Sequence, residues 1–225
     1  MHCFPAHKYL PLKLILLALL TTTLFACNHQ VVKYENELDK LMKGNQRFAS
    51  LRPTHPNEDQ KHMLEESKAQ HPFAVVVCCS DSRVAPELIF DQGIGDLFVI
   101  RTAGNLIGGL ELGSIEYAVE HFNCKLIVVL GHENCGAIKS FIDHDEAPGH
   151  IKEIIDSITK EAEIKAISIN DKDRLDHSVI ANTIHVSKQI SSQSPIIKEK
   201  INNKQLQIVA SRYDLNDFKV NVLKY

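Results

Sequence analysis

Three short runs of apolar, largely β-branched residues punctuate the chain: Phe73–Cys78, Leu97–Ile100 and Lys125–Leu130. None alternates regularly with polar residues, so each is expected as a strand covered on both faces, the pattern of a parallel sheet. Leu206–Ala210 reads as a fourth strand, and Val220 and Val222 around Asn221 suggest a short edge strand closing a hairpin. Between the runs the apolar period changes. Leu38, Leu41, Met42, Asn45 and Phe48 recur at helical spacing, as do Leu112, Ile115, Val119 and Phe122. Further helices are expected at about Glu58–Ala69, Ile151–Ala162 and Ser178–Ile190, and Pro53 and Pro56 within Arg52–Asn57 end the first. Strands alternating with helices predict an α/β fold, a mostly parallel central β-sheet flanked by helices. There is no internal repeat and no low-complexity stretch.

The first 33 residues follow a different pattern. Met1–Lys13 carries Lys8 and Lys13 and no acidic residue, and Leu14–Phe25 is an apolar run softened by Thr21, Thr22 and Thr23. That run matches a signal-peptide core and falls short of the roughly 20 residues needed to span a bilayer. Residues 1–26 are therefore expected to be a removed signal peptide, 27–33 a tether and 34–225 the folded domain. Leu24-Phe25-Ala26-Cys27 resembles the lipobox of bacterial lipoproteins, which implies lipidation of Cys27 and a membrane tether. Asn28 after the cysteine would favour delivery to the outer membrane, facing the periplasm. An ordinary cleavable signal, with Cys27 incidental, is the alternative; both export the protein.

Composition narrows the picture further. Over 225 residues, 44% hydrophobic and 24% charged content is that of a globular chain. A formal charge of −3 argues against nucleic acid as a partner, since phosphate binding wants a basic face. Six cysteines are too few and too unevenly spaced for a disulfide scaffold.

Two motifs follow directly on predicted strands: Cys79-Ser80-Asp81-Ser82-Arg83 and His132-Glu133-Asn134-Cys135. Ligands of α/β sheets gather at the carboxyl ends of strands. Two intervening residues let a turn bring His132 and Cys135 onto one centre. If the first motif continues the strand, Cys79, Asp81 and Arg83 share a face. Taken singly, these are a buried thiol, a loop histidine and a surface ion pair. Together, two thiolates and an imidazole form a ligand set for zinc with one position left open, as catalytic sites have. A disulfide between Cys79 and Cys135 is the redox alternative. Cys78 and Cys124 read as small buried hydrophobes.

These residues resemble the β-class carbonic anhydrases, whose zinc motifs are C-x-D-x-R and H-x-x-C. Asp96–Arg101, Ala103–Asn105, Gly113–Val119, Gly131–Gly136 and Ile208–Leu215 are similar to family segments as well. The resemblance implies one zinc ion per subunit on Cys79, His132 and Cys135, and hydration of carbon dioxide to bicarbonate by a zinc-activated water. Asp81, held by Arg83, would orient that water; released, it would itself ligate zinc and close the site. Gln70 matches a glutamine that binds substrate. Phe98 and Tyr117 match residues lining an apolar pocket, often supplied across a dimer interface, so a homodimer or homotetramer is expected. Some members bind bicarbonate allosterically through a Trp-Arg-Tyr triplet; Val76 stands where the Trp would be, so no such site is expected. Asn216-Asp217-Phe218 departs from the family's Gly-containing turn. Two other readings keep the motifs: a hydrolase of carbon disulfide or carbonyl sulfide, and a non-catalytic zinc-binding lipoprotein.

Overall fold

The computed structural model describes residues 36–224; the expected signal peptide (1–26), Cys27 and the expected tether (27–33) lie outside the described residues. In chain order the elements are α1 (Glu37–Ala49), α2 (Gln60–Glu66), β1 (Ala74–Cys79), α3 (Pro86–Ile89), β2 (Leu97–Thr102), a 3-10 turn (Ala103–Asn105) and α4 (Gly109–His121). There follow β3 (Leu126–His132), α5 (Gly136–Asp143), α6 (Ile151–Thr159), α7 (Ala162–Lys165), α8 (Arg174–Gln193), α9 (Pro195–Asn202), β4 (Gln207–Tyr213) and β5 (Val220–Val222). Asn36 starts α1 by accepting the Asp39 N–H at 2.9 Å, and Asp59 starts α2 in the same way with His62.

The strands form one sheet in the order β2-β1-β3-β4-β5, parallel except for the antiparallel β4–β5 edge. β1 and β3 occupy central positions and are buried along their whole length. Successive side chains therefore feed two different cores. Val75, Val77, Ile127 and Val129 pack with Ile115 of α4, Val186 and Ile190 of α8, and Ile197 of α9. Val76, Cys78, Val128 and Leu130 pack with Leu41 of α1 and Ile89 of α3. A third cluster, Cys79, Cys135, Ile138, Ile158, Ile164 and Val179, lies at the carboxyl end of the strands. Val76, the position of the absent Trp, is wholly buried in the second core.

The expected helices differ mainly in extent. Ile151–Ala162 stops at Thr159, and Ser178–Ile190 is the middle of a 20-residue helix. Helices α3, α5, α7 and α9 were not expected; at four to eight residues each, an apolar period has too little length to register.

Candidate metal centre

The site follows from register. β1 and β3 pair Val77 with Val129 and Cys78 with Leu130, so Cys79 and His132 emerge from neighbouring strand ends. Gly131 is required just there, because a Cβ would come within 2.0 Å of Thr183 Oγ1 on α8. After His132 the chain turns through Asn134, at φ +53°, and Cys135 precedes the first residue of α5. Sequence spacing and strand pairing thus bring one donor atom each from Cys79, His132 and Cys135 within 4.8 Å of one another. All three side chains are buried, His132 completely.

Each donor is oriented by its surroundings. His132 Nδ1 lies 2.8 Å from the Glu133 carbonyl, so that nitrogen carries the hydrogen and Nε2 presents its lone pair. The two thiols titrate as one unit. The hydrogen bond from Cys135 holds Cys79 well below the ordinary thiol range, with the Asp81 and Gly104 N–H groups adding to it, while burial opposes. Cys135 is pushed up by the neighbouring Cys79 and by burial, and the Ala137 and Ile138 N–H groups of the first turn of α5 counter this. Cys79 and Cys135 are free thiols, so the disulfide alternative does not hold.

Asp81 and Arg83 meet, though by a different route from the one expected. β1 ends at Cys79, and the Val84 N–H donates to the Asp81 carbonyl at 3.0 Å, which makes 81–84 a turn and not an extended segment. The Asp81 carboxylate accepts the Arg83 backbone N–H and Nε at 2.9 Å each, and Nη2 at 2.7 Å. This is an Asx turn carrying a bidentate ion pair. The Arg83 hydrogen bond brings the Asp81 pKa down to about 2. Its Oδ2 stands 4.0 Å from His132 Nε2, at the edge of the donor cluster.

Two residues with structural roles here were not singled out from sequence. Arg101 donates to the Cys79 carbonyl at 3.1 Å and the Asp81 carbonyl at 2.7 Å, stapling the turn to β2. Glu133 accepts from Leu215 N and Asn216 Nδ2, tying the second motif to the β4–β5 turn. There Phe218 takes φ +63°, the conformation a glycine would favour. A parallel register could have suggested Arg101, which pairs with Cys78; the Glu133 contact spans 83 positions and leaves no local signal.

Gln70, Phe98 and Tyr117 do not join this cluster within one chain. Phe98 pairs with Val75, four residues before Cys79, which is roughly 13 Å along the sheet at 3.3 Å per residue. It packs on Phe122, which also meets the half-exposed Tyr117 ring edge-on. Gln70 is exposed in the loop entering β1. All three belong to the amino end of the sheet or its outer edge.

The donor set itself suits a metal. Among the described residues His132 Nε2 is a buried polar atom with no hydrogen-bond partner, a costly state for an atom that a cation would satisfy. Two sulfurs and one imidazole nitrogen are the soft and borderline donors that zinc takes.

Comparison with known proteins agrees with this chemistry. Residues 74–220 match the family model described as carbonic anhydrase. Carbonic anhydrase 2 of Mycobacterium tuberculosis is 38% identical over 184 residues, spanning 79% of this chain and 86% of the relative. Among solved structures, the β-carbonic anhydrase CcaA superposes with a TM-score of 0.67 at 26% identity, covering 83% of this chain and 95% of its own. Tetrameric β-carbonic anhydrases of Sordaria macrospora give a TM-score of 0.67 over 81% of this chain and 94% of theirs, at 23% identity, a likeness of fold alone.

Proposed function

The chain belongs to the β-class carbonic anhydrase family, and from that premise we propose that it hydrates carbon dioxide reversibly, with zinc held by Cys79, His132 and Cys135. The observation that carries this is the buried, convergent donor triad whose histidine Nε2 has no hydrogen-bond partner among the described residues. When bound, zinc supplies Lewis acidity that lowers the pKa of a water from 15.7 to about 7. Everything else is the work of this chain's side chains. Asp81 is ionised at neutral pH and can accept a hydrogen bond from the attacking water, orienting its oxygen toward the carbon of CO2. One carbon–oxygen bond forms, one proton passes to solvent, and bicarbonate departs. Arg83 keeps both carboxylate oxygens engaged, so Asp81 is not free to serve as a fourth ligand; breaking the ion pair would let it close the site. Stopped-flow hydration of CO2 by the zinc-loaded protein tests this: turnover far above the uncatalysed rate is expected, and none would overturn it.

The proposal extends to assembly. A second copy would bring Gln70, Phe98 and Tyr117 to the mouth of the site, as a homodimer or a homotetramer. Three features support this: β2 is an edge strand, the Tyr117 ring is half exposed where it meets Phe122, and Leu110 on the same helix stands 86% exposed. The Sordaria enzymes are tetrameric by name. Sedimentation velocity should give a dimer or larger; a monomer with full activity would remove this part.

The signal segment supports export and acylation of Cys27, hence a periplasmic enzyme tethered to the outer membrane. Labelling cells with a palmitate analogue should mark the wild type and not Cys27→Ser.

A further inference from the structure

The Cys79 sulfur accepts a hydrogen bond from the Gly104 N–H at 3.3 Å. Gly104 belongs to the 3-10 turn that leaves β2, and it sits at φ +70° and ψ 17°, a conformation disfavoured for residues with a Cβ. A glycine so placed has two peptide planes that turn easily, so something must hold it if its N–H is to stay on the sulfur. The Gly104 carbonyl accepts Asn182 Nδ2 at 2.9 Å. Asn182 lies on α8, 78 residues away, is 1% exposed, and reaches the Asn105 side chain as well, at 3.4 Å. Thr183, its neighbour on α8, packs on Gly131, one residue before His132. The same turn of α8 thus touches the backbone beside two of the three donors.

We propose that Asn182 is a positioning residue for the metal centre: by fixing the Gly104 peptide from behind, it keeps the Gly104 N–H directed at the Cys79 sulfur. The inference rests on the reading of Cys79 as a metal ligand. Its physical content is narrow. An N–H donated to a thiolate withdraws electron density from the sulfur and orients it, and the groups that orient ligands in this way tune affinity as well as geometry. Among the described residues the Asn182 amide donates to Gly104 and Asn105, so it acts on the sulfur through Gly104. A purely structural amide on α8 would stabilise the helix packing and leave the sulfur's electronic character unchanged. Ser178 supplies the comparison, since it is equally buried one helical turn earlier and makes no hydrogen bond to Gly104.

Cobalt(II) in place of zinc reads the sulfur directly, through the thiolate-to-cobalt charge-transfer band in the near ultraviolet. Asn182→Leu keeps a similar volume and removes the donor. The folded variant is expected to take one cobalt per chain, to show the band shifted to longer wavelength, and to lose metal to a chelator about tenfold faster than wild type. Ser178→Ala is expected to match wild type in both measurements. If Asn182→Leu does not fold, Asn182→Ala is read in the same way. A band and a loss rate identical to wild type in the folded Asn182 variant would overturn the proposal, as would an equal shift in Ser178→Ala. A wild-type cobalt protein with no thiolate band would overturn the metal reading, and this inference with it.

Discussion

The two ends of the same sheet are built to different standards of completeness. At the carboxyl end, Cys79, His132 and Cys135 are almost wholly buried, and their donor atoms converge within 4.8 Å. There the Asp81 turn is held by Arg83 and Arg101. At the amino end and outer edge, Gln70 is exposed, Tyr117 is half exposed, and Phe98 packs on Phe122. One end presents a finished coordination site inside a single chain. The other presents an exposed surface, which on the proposed assembly would take its role from a second copy. On the proposed function the difference separates two tasks: local folding builds the metal centre, and assembly would build the substrate pocket.

Substitutions at the two ends should therefore fail in different ways. The largest effect is expected from His132→Ala, which removes the nitrogen donor: bound zinc should fall well below one per chain by atomic emission, and hydration should drop to background with the oligomer intact. Asp81→Ala comes next. It should retain zinc and lose roughly 10–100-fold in turnover, the usual cost of an orienting group around a metal; retained activity would mean that Asp81 orients nothing. Tyr117→Ala, at the other end, should keep one zinc per chain and lower activity several-fold. That loss should be accompanied by weaker self-association in sedimentation. Loss of zinc in Tyr117→Ala would break the division between the ends.

The smallest effect concerns stability beneath the carboxyl end. Glu161 is 2% exposed between α6 and α7, whose Ile158 and Ile164 pack in the same cluster as Cys79 and Cys135. Burial, with a contribution from Glu163, raises its pKa from 4.5 to about 8. Because the folded value is the higher one, the folded state holds an extra proton between these two pH values, and stability falls as pH rises through that window. Glu161→Gln should flatten this fall in thermal unfolding between pH 5 and 8 and melt above wild type at pH 8. Parallel profiles would show that Glu161 is ionised in the folded protein.

How much of this was legible in sequence follows from the range of each contact. β1 and β3 were plain because a strand buried on both faces leaves an unbroken apolar run, and both motifs begin where those runs end. Convergence of Cys79 with His132 then needed only parallel pairing of adjacent strands. The Asp81–Arg83 pair was anticipated on a wrong geometry: an extended strand and an Asx turn both bring positions i and i+2 together, so the residues alone cannot separate the two. Glu133 and Asn182 left no such trace, and Arg101 only its register opposite Cys78. Their contacts span 20 to 83 positions, and each is one polar side chain whose partner is defined only by the packed fold. Phe98 and Tyr117 were read through family resemblance alone.

X-ray absorption at the zinc edge on the purified wild-type protein bears most directly on the centre itself. Two sulfurs at about 2.3 Å and two nitrogen or oxygen neighbours at about 2.0–2.2 Å are expected, from Cys79, Cys135, His132 and one further light ligand. A shell of four sulfurs, or one with none, would contradict the assignment.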